Sequence, residues 1–135
     1  QTLNQVDLIK QFIGNWKSDL GNGTILTSTN KEFGNGLVCT SKIVKDNKTL
    51  DTITQLFGYD KNTDKFIIAE LKESSDVMEI CSVWFTSKTE GKIVITNPEN
   101  APIQFAFELM SSDIIIQRAI QNGKVVNEIK LHRRK

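Results

Sequence analysis

The ionisable residues that alternate with apolar ones are the first candidates for chemistry in this 135-residue chain. In the segment 114–121, Arg118 shares a strand face with Ile114, Ile116 and Ile120. A guanidinium among isoleucines is costly unless a carboxylate, a set of carbonyls or a ligand's acid group meets it. Glu79, in step with Val77, Cys81 and Val83, and Glu70, in step with Phe66 and Ile68, are the candidate partners. Three readings of Arg118 stay open: an outer-face residue, half of a structural ion pair, or the anchor of an acidic ligand. The expectation carried forward is that Arg118 projects inward and is paired.

The other chemical signals lead away from catalysis. Asp60-x-Asn62-x-Asp64 begins like a calcium loop, but Lys65 stands where the loop needs Gly and Leu71 where it needs Glu. His132 is the single histidine, and Cys39 and Cys81 offer no zinc spacing. Nucleophile elbows, phosphate loops and dinucleotide fingerprints are missing. No catalytic residue, metal or cofactor is therefore expected, and the chain reads as a non-enzyme. A net charge of +1 supplies no field for nucleic acid, and the basic run Arg133-Arg134-Lys135 reads as a solvated chain end. The longest apolar run, Phe66-Ile67-Ile68-Ala69, stops at Glu70, far short of the ~20 residues of a membrane helix. A start at Gln1 fits a mature chain whose signal peptide has been removed, or equally a trimmed chain; export to the periplasm or medium is the localisation expected.

The elements that must hold these residues follow from periodicity. Thr2-Leu3-Asn4-Gln5 has the form of a capping box, and Leu3, Val6, Ile9 and Ile13 recur at helical spacing, predicting a helix over about 3–13 that Gly14 ends. From Trp16 onward the period is two. Turn signals such as Gly21-Asn22-Gly23, Gly34-Asn35-Gly36, Asp46-Asn47-Lys48 and Asn122-Gly123 separate ten segments, near 15–20, 24–33, 37–45, 49–59, 65–72, 77–86, 92–96, 102–110, 114–121 and 125–133. Ten short antiparallel strands without a crossover helix predict an all-β, single-domain, up-and-down barrel of about 8–10 strands, with a Greek-key sandwich as the alternative.

Within that barrel, three inter-strand steps of ~4.8 Å put Cys39 and Cys81 ~14 Å apart, beyond the ~7 Å reach of a disulfide. Two buried free thiols are expected. Ile103, Phe105, Phe107 and Leu109 share the inward face of one strand, and Val125, Asn127, Ile129, Leu131 and Arg133 that of another. The candidate ligand-binding set is Phe105, Phe107, Ile116, Arg118, Asn127 and Ile129, facing a small hydrophobic or amphipathic molecule. The competing reading is a structural or protein-interaction module whose barrel is filled.

The Gly14-x-Trp16 junction and a basic residue closing the last strand, Arg133 or Arg134, resemble the signature of the calycin superfamily of lipocalins and fatty-acid-binding proteins. Gly58-Tyr59-Asp60 followed by Lys65-Phe66 resembles a hairpin of small bacterial lipocalin-like domains of unknown function. The resemblance implies a ligand-holding barrel with Trp16 buried at its closed end against Ile9 and Ile13, and an arginine stacked on the indole. The fatty-acid-binding proteins' two lid helices have no counterpart here, where Asp19-Leu20-Gly21-Asn22-Gly23 joins the first two strands. Their closing Arg-x-Tyr is also replaced, by His132-Arg133-Arg134.

Overall fold

In the computed structural model, which describes residues 2–134, a short helical segment leads into ten antiparallel strands. The strands are β1 (Gly14–Gly21), β2 (Thr24–Phe33), β3 (Gly36–Lys45), β4 (Lys48–Asp60), β5 (Lys65–Lys72), β6 (Glu79–Phe85), β7 (Glu90–Asn97), β8 (Ile103–Ser111), β9 (Ile114–Gln121) and β10 (Lys124–Arg134). Each pairs with its neighbour in sequence, and Trp16 of β1 lies opposite Arg133 of β10. That last pairing closes the sheet into an up-and-down barrel, so the two-sheet sandwich is excluded.

Turn chemistry sets the hairpins at one end. Asn22-Gly23, Asp46-Asn47 and Asn122-Gly123 are two-residue loops with both residues at positive φ, the geometry whose twist matches the strands on either side. Asp60, Asn62 and Asp64, the fragment of a calcium loop, make a turn at the other end. Asp60 accepts from the Asn62 amide and the Thr63 hydroxyl, and Asp64 accepts from the Tyr59 hydroxyl at 2.7 Å. β7 and β8 are joined only from Glu90 to Ile93, and beyond this the Ile95 amide donates to the Gln104 side chain instead of to a strand carbonyl.

The helical segment is shorter than the sequence predicts, and its cap differs. An α-turn at Gln5–Leu8 (α1) runs into a tighter 3-10 turn at Ile9–Phe12. Asn4, not Thr2, caps it, its side chain accepting from the Asp7 amide at 3.1 Å. Gln5 is thereby free to turn inward, where it donates to the Phe85 carbonyl and accepts from the Phe85 amide. The segment plugs one end of the barrel through Ile9 and Phe12, packed with Trp16, Phe85 and Phe107. Among the described residues no helix is long and apolar enough to cross a membrane.

A candidate ligand cavity

The closed end of the barrel is built from the Gly14-x-Trp16 junction. Trp16 is 1 % exposed, and its indole Nε1 donates to the Phe12 carbonyl at 2.9 Å. Arg133 reaches across from β10, its guanidinium carbon 4.3 Å from the centre of the Trp16 ring. The same guanidinium donates to the carbonyls of Ile13, Gln11 and Ser112 and lies 3.4 Å from the Asp113 carboxylate. Gly14, at φ +126°, sits under it, and a Cβ there would collide with the guanidinium. The backbone angle favours a glycine at this position, and a Cβ would also displace the guanidinium.

Above this plug lies an aromatic floor. The rings of Phe12, Phe85 and Phe107 meet at centroid distances of 5.0–5.7 Å, two of the three contacts edge to face. Gly91, opposite Phe107 in the β7–β8 register, has no Cβ because the Phe107 ring fills that space. The floor is consequently well packed. Over it opens a cavity of about 330 Å³.

The cavity has one apolar wall and one mixed wall, since Leu26, Ile53, Phe57, Ile68 and Val83 also line the β2–β6 side. Ile93, Phe105, Phe107, Ile115, Ile129 and Leu131, from β7–β10, form an apolar wall interrupted by Gln117. Ser28, Ser41, Gln55, Glu70, Lys72 and Glu79, from β2–β6, bring polar groups to the other side, together with the thiols of Cys39 and Cys81. The Ser28 and Ser41 hydroxyls are 2.8 Å apart. Gln55 donates to Glu70 at 2.6 Å, and the Lys72 ammonium is 3.8 Å from the same carboxylate. Glu70 is 8 % exposed; burial pushes its carboxyl up from the usual value, against the opposing pull of Gln55 and Lys72. Both cysteines are free, and burial pushes each thiol up to about 12, with Glu79 and Glu70 adding to the effect at Cys81.

The residues expected from the sequence divide between the two faces. Phe105, Phe107 and Ile129 line the cavity, and Asn127 stands at an exposed edge beside a pocket of about 70 Å³ that it shares with Phe105, Gln117, Ala119 and Ile129. Ile116 and Arg118 do not line it. On β9 the inward residues are Ile115, Gln117 and Ala119, which places Ile116 and Arg118 on the outer face. There Arg118 pairs with Glu128, directly opposite on β10, at 3.0 Å and with Glu108, two residues along β8 from the opposite Ala106, at 3.2 Å. The expected inward arginine is therefore corrected to an outer-face ion-pair network, and Glu70 and Glu79 are not its partners.

Sequence reasoning also passed over Gln55, Lys72, Ser28 and Ser41. A signal existed for Gln55, which alternates with Ile53 and Phe57, as Glu70 does with Phe66 and Ile68. Among the described residues no group of three His, Cys, Asp or Glu side chains is placed to hold a metal ion. No protein-family model matches the sequence, and no curated protein matches it.

Proposed function

We propose that this protein is a non-enzymatic carrier or receptor for a small hydrophobic or amphipathic molecule held inside the barrel, and that the barrel is of the calycin type. The observation that carries the reading is the cavity of about 330 Å³, closed below by aromatic rings and walled on one side by isoleucine, leucine and phenylalanine. Its volume falls in the lower part of the ~300–1,000 Å³ range of small-molecule sites, which are mostly apolar with a few polar groups. The calycin likeness draws support from the arrangement of Gly14, Trp16 and Arg133 at the closed end. A second reading, a protein-interaction module, has its own support in Leu56, Ile67 and Leu71, exposed side chains on the outer face of the adjacent strands β4 and β5.

Native mass spectrometry of gently purified protein, combined with titration of the neutral apolar dye Nile red, separates the two. A retained small molecule, or saturable dye binding that is weakened by Phe105→Trp filling the cavity, is the outcome expected for a ligand carrier. Unliganded protein that binds no dye would refute it and leave the outer face as the functional surface.

A further inference from the structure

We infer that the cavity selects ligands with a cationic, hydrogen-bond-donating head, an ammonium being the simplest, held by Glu70 and Glu79 while an apolar body lies against the β7–β10 wall. The inference rests on the ligand-carrier reading above and specifies the ligand's chemistry.

The charge layout of the polar wall carries it. Glu70 and Glu79 are directly opposite in the β5–β6 register, and both face the cavity. Side chains so placed have Cβ atoms about 4.5–5.5 Å apart, and like charges there repel. Each ionised carboxylate also offers about four acceptor sites. Glu70 receives one strong donor, Gln55, and the more distant Lys72. At Glu79 the hydrogen-bond donor among the described residues is the Cys81 thiol, 3.7 Å away and weak. Lys72 is the cation nearest the pair, but its side chain is 42 % exposed and its charge also acts on Asp51. The one ammonium beside Glu70 is thus solvent-screened and shared with Asp51.

Among the described residues no arginine lines the cavity. Arg118 is on the outer face, and the guanidinium of Arg133 is taken up by three carbonyls, Asp113 and the Trp16 ring at the closed end. A carboxylate or phosphate head would be repelled by Glu70 and Glu79 and would find Lys72, already beside Glu70, as the one cation among the lining residues, whereas an ammonium would add donors to both carboxylates and relieve their repulsion. The cavity supplies the ligand space and the paired glutamates supply its sign preference.

Displacement of Nile red by three probes of equal chain length, dodecylammonium, dodecanol and dodecanoate, each below its micelle concentration at pH 7, tests the inference. Dodecylammonium should bind at least about tenfold more tightly than dodecanol, the scale of one hydrogen bond to a charged group, with dodecanoate the weakest. In Glu70→Gln and Glu79→Gln the ratio of dodecylammonium to dodecanol affinity should fall. Dodecanoate binding as tightly as dodecylammonium, or an ammonium preference unchanged in both variants, would overturn the inference and leave the carrier reading standing. Failure of all three probes and of the dye would overturn both. The comparison of head groups on the unmodified protein keeps the test decisive even if a variant does not fold.

Discussion

The Arg133 guanidinium carbon sits over Trp16, 4.3 Å from the ring centre, across the β1–β10 pairing that closes the barrel. The stacking joins the first strand to the last, while the guanidinium's bonds to Gln11 and Ile13 tie the helical plug to the same point. Truncating a fully buried Trp costs about 3–5 kcal/mol, a large part of the ~5–15 kcal/mol that holds an ordinary domain folded. Trp16→Ala should therefore be unfolded or close to it by chemical denaturation. A melting temperature within a few degrees of the parent would show that this junction is not an anchor.

Gly14 answers to Arg133 as well as to its own backbone angle, and the two demands can be separated. Gly14→Ala should destabilise by roughly 1–3 kcal/mol, part from the strained φ and part from collision with the guanidinium. In an Arg133→Met background the collision part should vanish and the backbone part remain. A double-mutant cycle checks this, with an interaction energy of about 0.5–3 kcal/mol expected for residues in contact. Strict additivity would mean that the close approach carries no energy.

On the outer face, Arg118→Met should leave Nile red affinity unchanged and move the urea midpoint little, because exposed ion pairs are screened by solvent. A tenfold loss of dye affinity would return the side chain to the interior.

The misplacement of Arg118 shows where pattern reading runs out. All ten strands were legible because turn residues punctuate them and most strands have one polar face, as with Phe105 and Phe107 against Gln104 and Glu108. β9 has apolar residues on both faces, Ile114, Ile116 and Ile120 on one and Ile115 and Ala119 on the other. Ile116 is only 7 % exposed although it points outward, so apolar character alone misleads there. The register with Glu108 and Glu128 decides the matter, and register is a long-range property that one strand's pattern does not contain. The candidate site was half legible for the same reason: the apolar wall lies on cleanly alternating strands, whereas the role of Glu70 and Glu79 depends on their being opposite one another.

The polar wall should also leave its mark on stability against pH. Burial raises the folded-state pKa of Glu70 above its ordinary 4.5, so the folded protein holds this proton at pH values where the unfolded chain has released it. The contribution is fully present below pH 4.5 and is lost as pH rises through the folded value. Glu70→Gln cannot ionise, so its urea midpoint should fall less than the parent's as pH rises from about 4.5 toward neutrality. The thiols have the same sign in another window. With Cys39 and Cys81 raised from 9.0 to about 12, the unfolded chain ionises first, and stability should decline above pH 9. Cys39→Ala opens space in the core and should lower the midpoint at every pH, but its profile above pH 9 should be flatter than the parent's. Urea midpoints recorded from pH 4 to 10.5 provide both comparisons. Profiles of parent and Glu70→Gln that run parallel below pH 7 would show that Glu70 is as well solvated in the folded barrel as in the unfolded chain, and would remove the buried acidic wall on which head-group selection depends.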